Sequence, residues 1–287
     1  MKILMLATVP SMIGQFNVGN LQLLQQMGYE VEIACNFVDR SVWTKARVDA
    51  FIQVMDRRNV AMHQIDFPRT PYNVRRLLLA WKQLDELVKK NEYVGIHCHT
   101  PVAAALARMA AHKHNVKVVY TAHGFHFYQG APLKNWLVYY PVEWMLSRWT
   151  DTLITINQED YRLAKRRFHA KQTVYVQGVG IDIDRFSAHM KPEAVQALRE
   201  SLGIHGGDVA ILSVGELSVR KNHAQIIRAL AQLNLPNVRY FIVGQGSQEE
   251  LLDVVKTRNM ERKVTLLGFR TDIPELLHTM DLFVLPS

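Results

Sequence analysis

Three short loops in the last third of the chain carry residue types suited to holding an anion. The first reads Gly215-Glu216-Leu217-Ser218-Val219-Arg220-Lys221-Asn222-His223. It follows the apolar run Ile211-Leu212-Ser213-Val214 and precedes an amphipathic stretch over 224–233, so the spacing predicts strand, loop and helix in that order. Adjacent cations, Arg220 and Lys221, then stand at a helix start, where they oppose the helix dipole. They are either two solvated surface charges or the grip for an anion such as a diphosphate. Gly244-Gln245-Gly246 repeats the arrangement one unit later, as a plain strand-to-helix turn or a ligand loop, and Gly268-Phe269-Arg270 is a third strand-end loop. Histidines collect earlier in the chain. His97 and His99, two apart on a predicted strand, share a face, but no third ligand stands at metal-site spacing. His123, beside Gly124 at another strand end, is either a site residue or a buried structural histidine. Gly14, in the first predicted loop, either turns the chain or lets backbone approach a ligand.

The elements that must position these residues alternate along the whole chain. Strand-like runs at 2–8, 30–35, 61–65, 94–97, 117–121, 152–156 and 173–176 are separated by helix-like segments at 17–27, 42–58, 74–90, 102–112, 137–149 and 158–168. This alternation predicts an α/β fold with an open parallel sheet covered on both faces. Ligands of such sheets bind beyond the carboxyl ends of the strands, where the loops above fall. A polar break near 182–192 precedes a second α/β pattern, giving two Rossmann-like domains, 1–187 and 188–287. The aromatic stretch from Trp136 to Trp149 is core, an acceptor surface or a face laid on a membrane.

Composition narrows the class. A hydrophobic fraction of 48% and a charged fraction of 21% over 287 residues describe a globular chain. Two cysteines, Cys35 and Cys98, sit in apolar runs and read as buried thiols, which suits a cytoplasmic protein. No apolar run is long enough to span a bilayer. The net charge of +8 is partly gathered at 69–90 and 162–171. It points to an anionic surface or a phosphorylated substrate; nucleic acid is not expected, because no nucleic-acid-binding signature accompanies the charge. Neither a dinucleotide fingerprint nor a Walker A loop is present.

Taken together, Tyr120-Thr-Ala-His-Gly-Phe-His-Phe-Tyr128, Gly178-Val-Gly-Ile-Asp182, the loop 215–223, Gly244-Gln-Gly246, Gly268-Phe-Arg-Thr-Asp-Ile-Pro274 and Phe283-Val-Leu-Pro-Ser287 resemble a family 4 retaining glycosyltransferase of the GT-B architecture. The similarity is greatest to bacterial enzymes of exopolysaccharide and capsule synthesis. It implies transfer of a sugar, with retention, from a nucleoside-diphosphate donor, UDP being the common nucleotide, to a glycan or lipid-linked acceptor. It puts Lys221 on the diphosphate with Arg220 as a second cation, Gly215 and Gly246 in the donor loops, Phe269 and Arg270 near the base, Gly14 facing the diphosphate from the first domain, and His123 near the sugar and acceptor. Many members carry arginine where this chain has Glu216. No metal or other cofactor is expected; cations and helix N-termini carry the leaving-group charge. Peripheral contact of the basic helix 74–90 and the aromatic stretch with the inner membrane face is a further expectation.

The resemblance also implies that the chain is cut off in its second domain, since relatives continue past the final Pro-Ser turn into a Glu-x7-Glu motif. Little transferase activity and poor solubility are expected on that ground. Two other readings remain at this stage: a nucleotide-sugar epimerase, and a nucleotide-binding remnant without turnover.

Overall fold

The computed structural model describes every residue, Met1–Ser287, as two compact units, Met1–Gly180 and Ile181–Ser287. The polar segment that sequence places before a division near 188 includes a short helix, Ile183–Ser187, which belongs to the second unit. There His278 Nε2 lies 3.2 Å from the Phe186 carbonyl.

In the first unit, seven strands form one parallel sheet: β1 (Lys2–Leu6), β2 (Glu30–Cys35), β3 (Met62–Gln64), β4 (Tyr93–His99), β5 (Lys117–Ala122), β6 (Thr152–Thr155) and β7 (Gln172–Tyr175). Their order is β3-β2-β1-β4-β5-β6-β7, so the winding reverses between β1 and β4. Side chains alternate across the sheet. Leu4, Leu6, Ile96, Cys98 and Tyr120 face one side and bury against Ala80, Leu84 and Val88 of helix Val74–Lys90 and the alanines of helix Pro101–His114. Met5, Ala7, Ile33 and Cys35 face the other and bury against Val48, Phe51 and Met55 of helix Lys45–Arg57. Both cysteines are free and buried.

Local chemistry accounts for the helix ends. Asn73 caps helix Val74–Lys90 by accepting the Arg76 amide at 3.1 Å, and Asn157 caps helix Gln158–Arg167 through the Asp160 amide at 2.8 Å. The second helix has Glu159 and Asp160 in its first turn and Lys165, Arg166 and Arg167 in its last. Much of the basic cluster at 162–171 therefore complements the helix dipole.

One segment departs from expectation. Residues read as a loop before the first helix form a helix of their own, Pro10–Phe16, with proline in its first turn and Ile13 buried. Gly14 lies inside it and faces inward. A Cβ there would stand 2.4 Å from Trp43 Cη2 and 3.1 Å from Phe51 Cδ2. Gly14 lets this helix rest on two aromatic rings, a packing role that the sequence alone did not indicate.

In the second unit, β8 (Val209–Val214), β9 (Val238–Val243), β10 (Val264–Gly268) and β11 (Leu282–Phe283) form a parallel sheet in the order β10-β9-β8-β11. Helices His223–Leu233 and Glu249–Thr257 cover one face through Ile227, Leu230, Leu251 and Val255. Leu276 of helix Ile273–Thr279 and Ile204 bury against Ala210, Leu212, Phe241 and Val243 on the other. No helix of either unit is long and apolar enough to cross a membrane.

Candidate active site

In the second unit the strand-end loops after β8 and β9 are locked together. The Gly215 amide donates to the Val243 carbonyl at 2.9 Å, the Leu217 amide to the Gln245 carbonyl at 2.8 Å, and Leu217 bridges Gly246 in parallel fashion. The contact is too close for any side chain. A Cβ on Gly244 would lie 1.8 Å from the Gly215 carbonyl oxygen, and one on Gly246, at φ +144°, would lie 2.4 Å from the Leu217 carbonyl oxygen. Gly246 is thus held by its fit against the β8 loop.

Lys221 ends a single 3-10 turn, Val219–Lys221, and its methylenes run over Gly215, 3.5–3.6 Å from where a Cβ would be. Its ammonium has no ionic partner in the chain. Asn222 then takes a left-handed conformation (φ 52°) and helix His223–Leu233 begins. A cation and the amide end of an eleven-residue helix therefore stand at the carboxyl end of β8. Arg220 is exposed and lies 3.8 Å from the Glu216 carboxylate, a loose surface pair of small energy.

His223 was not singled out from sequence, yet it is 2% exposed, and its Nε2 lies 3.3 Å from the Glu216 carbonyl oxygen. Burial lowers its pKa, so near neutral pH the ring is uncharged and Nε2–H donates to that carbonyl. It ties the start of the helix to the loop that carries Lys221. After β10, Phe269 is 46% exposed, while Arg270 is committed to Asp272, Nε donating to Oδ1 at 2.8 Å. Each partner favours the charged form of the other: the arginine is raised and the carboxyl lowered. The pair stiffens the loop that holds Phe269.

In the first unit His123 follows β5 and meets a second histidine, its Nε2 lying 3.1 Å from Nδ1 of His99. The His97 and His99 rings are 4.3 Å apart, and His97 Nε2 reaches the Thr121 hydroxyl at 2.9 Å. Burial holds all three below the usual histidine range, His97 at about 4. The loop beyond is anchored by Asp160, which accepts the Phe125 amide at 3.0 Å, and His126 stacks on Tyr139 at 4.5 Å. Nowhere do three or more His, Cys, Asp or Glu side chains converge as a metal site requires.

A cavity of about 340 Å³ opens beyond the carboxyl ends of β1 and β4, lined among others by Thr8, Gln15, Arg69, Thr100, His126 and Tyr139. Thr100 adopts φ 67°, ψ 138°, a conformation a β-branched residue avoids. It is held there by its hydroxyl, which takes the Thr8 amide at 3.0 Å and pairs with the Thr8 hydroxyl at 2.8 Å. Sequence gives no signal for this strain.

Behind the cavity, Arg108 and Glu143 form an ion pair of 2.8 Å at 1% and 6% side-chain exposure, joining helix Pro101–His114 to helix Leu133–Leu146. Arg108 also lies over the Tyr120 ring at 4.5 Å. The aromatic stretch divides between core and surface. Trp136, Tyr139 and Tyr140 pack inward, while Leu133, Leu137 and Met145 are exposed at 73%, 69% and 48%.

Two open parallel sheets, with glycine-bearing loops at the carboxyl ends of one and a histidine at a strand end of the other, describe the GT-B class of glycosyltransferases. Solved structures share the fold. An Anabaena protein, Alr3699/HepE, crystallised with UDP, superimposes with a TM-score of 0.74 over all of this chain and 74% of its own, at 21% identity. WaaG, a glycosyltransferase involved in lipopolysaccharide biosynthesis, gives 0.68 over 99% of this chain and 75% of its own, at 17% identity.

The sequence profile described as Glycosyltransferase Family 4 matches residues 21–185, and that of Glycosyl transferases group 1 matches 195–287. EpsD of Bacillus subtilis (strain 168), assigned as a glycosyltransferase, is 38% identical over 293 residues, covering 100% of this chain and 72% of its own. The Escherichia coli UDP-Gal:alpha-D-GlcNAc-diphosphoundecaprenol alpha-1,3-galactosyltransferase is 30% identical over 215 residues, 71% of this chain and 54% of its own. The chain belongs to glycosyltransferase family 4. The epimerase reading finds no support in these matches.

Proposed function

We propose that the second unit binds the diphosphate of a UDP-sugar on the loop 215–221, and that the first unit supplies His123 and the acceptor site, in the building of a polysaccharide or lipid-linked glycan. The observation that carries this reading is Lys221, laid over Gly215 without an ionic partner at the carboxyl end of β8 and the start of helix His223–Leu233. In the transfer, the bond from the sugar's anomeric carbon to the diphosphate oxygen breaks and that oxygen keeps the electron pair; the acceptor hydroxyl oxygen takes its place on the anomeric carbon, and the hydroxyl proton passes to an oxygen of the departing diphosphate. Negative charge grows on the diphosphate. Lys221, Arg220 and the helix amides are positioned to stabilise it electrostatically, with no metal in the scheme. Phe269, half-exposed after β10, is assigned to the base. The UDP in the Anabaena structure and the UDP-galactose and diphosphoundecaprenol in the name of the E. coli relative support the choice of donor and acceptor class.

Contact with the inner face of the plasma membrane is part of the proposal. Tyr72, Val74, Leu78 and Leu79 are exposed beside Arg75, Arg76 and Lys82, and the Tyr72 hydroxyl meets that of Tyr139 on the helix that exposes Leu133 and Leu137. Apolar side chains set among cations suit an anionic bilayer surface.

Calorimetric titration with UDP, uridine and inorganic pyrophosphate tests the donor site. UDP should bind well above uridine, pyrophosphate should compete, and Lys221→Ala should weaken UDP about 10- to 100-fold, the worth of a charge-assisted contact. Equal binding of uridine and UDP, or an unchanged Lys221→Ala, overturns the assignment.

A further inference from the structure

The three histidines of the first unit form a closed set whose proton positions follow from counting partners. A neutral imidazole has one N–H donor and one bare nitrogen acceptor. His99 is 0% exposed; its Nδ1 meets His123 Nε2 at 3.1 Å, and its Nε2 has no partner. Two proton arrangements satisfy the 3.1 Å contact. If His99 carried its proton on Nε2, a buried N–H would be orphaned, the arrangement folded proteins avoid most strongly. If it carries the proton on Nδ1, the orphan is a bare lone pair, which costs less. The second arrangement makes His99 the donor and His123 Nε2 the acceptor. The proton of His123 must then sit on Nδ1, which makes no hydrogen bond within the chain and belongs to a ring only partly buried.

We infer that His99 is a positioning residue that fixes His123 in the Nδ1–H form, so that His123 meets its ligand as a hydrogen-bond donor and not as a proton acceptor. His97, its ring 4.3 Å from that of His99 and tilted 45° to it, is bonded to the Thr121 hydroxyl and closes the set from behind. No carboxylate contributes to the shift of any of the three rings, so nothing in the cluster draws a second proton onto it, and the depressed pKa of each agrees with an uncharged chain of rings at neutral pH. A donor at this position suits an oxygen with lone pairs to offer, such as a sugar hydroxyl or ring oxygen. That last step rests on the proposal that His123 faces the substrate; the tautomer does not.

The test is long-range ¹H–¹⁵N correlation of the histidine rings in the uniformly labelled chain at pH 7.5, without ligand, with assignment by His97→Gln, His99→Phe and His123→Gln. In the native chain His123 should show a protonated, pyrrole-type Nδ1 and a bare, pyridine-type Nε2, the reverse of the form free histidine prefers. His99→Phe, which keeps the ring and removes the donor, should return His123 to the Nε2–H form. His99→Asn, whose amide nitrogen stands near the place of Nδ1, should restore it. A native His123 protonated on Nε2 overturns the inference, and so does an Nδ1–H form that persists in His99→Phe. If His99→Phe does not fold, the native spectrum alone decides. Failure of the Lys221 assignment would appear in the UDP titration and leave these spectra unchanged.

Discussion

Replacing Gly244 by alanine should part the loops after β8 and β9, proposed above to hold the donor, while leaving both sheets folded. The backbone at Gly244 has no left-handed φ, so alanine suits the position conformationally and the whole effect comes from one methyl group. That carbon would stand 1.8 Å from the Gly215 carbonyl oxygen and 2.8 Å from its carbonyl carbon. A close carbon–oxygen contact is about 3.3 Å, so the two loops must part by about 1.5 Å. The obstacle is backbone, with no rotamer to turn aside. Separation breaks the Gly215–Val243 and Leu217–Gln245 bonds and shifts Gly215, against which Lys221 lies. A displacement of about 1 Å at a site can cost on the order of 100-fold. UDP titration should therefore register a loss of that order. Thermal unfolding should fall by only the few degrees expected of about 1–2 kcal/mol. Gly19→Ala is the control: a Cβ there meets nothing within 4 Å and the residue lies in helix Val18–Gln26, so stability should rise slightly and UDP binding stay constant. Gly244→Ala with native UDP affinity would refute the claim that these loops form one unit.

Other outcomes follow from the same contacts. Glu143→Leu strands Arg108 in the core and should cost about 3–5 kcal/mol in urea unfolding, whereas Arg108→Met with Glu143→Leu should recover most of it. Stability should fall as pH drops from about 6.5 toward 4.5. His97, His99 and His123 titrate below their unfolded values, so the unfolded chain takes up protons first; the loss, on the order of 1–3 kcal/mol, should shrink in His97→Gln. The Glu32 carboxyl, held low against its burial by Lys2, Tyr93 and His63, adds a loss that begins below about pH 4.5 and overlaps the acid end of the histidine window, so His97→Gln separates the two. His223→Leu should weaken UDP about 5- to 10-fold, and His223→Gln, which retains a donor for the Glu216 carbonyl, should bind nearly as the native chain does.

Much of the fold was legible because strand and helix carry different periods. Helix Val74–Lys90 follows its apolar stripe from end to end, and β5 and β8 follow runs that are mostly apolar. Pro10–Phe16 was illegible because proline and glycine signal a turn unless their partners are known, and those partners, Trp43 and Phe51, are remote in sequence. The loop 215–221 could be read from its order of strand, glycine and cations. The role of Gly246 could not, since it depends on the carbonyl of Leu217. Arg108 and Glu143 look like solvent charges in a string of letters, and their burial depends on how two helices pack. His97 and His99 could be paired by alternation, but the third ring joins only because β5 lies beside β4.

The buried Arg108–Glu143 pair constrains how this sequence can drift. Either charge changed alone leaves the other unpaired in the interior, so the two positions can be exchanged for apolar residues only in concert. Among related chains the pair should be kept or lost as a couplet, and a chain carrying one half would have to compensate nearby, with Tyr120 the nearest candidate because its hydroxyl meets Glu143 at 3.2 Å. The helix carrying Tyr139 and the exposed leucines is thereby tied to helix Pro101–His114 by a bond that single substitutions cannot renegotiate, while its outer face stays free to vary with whatever surface it meets.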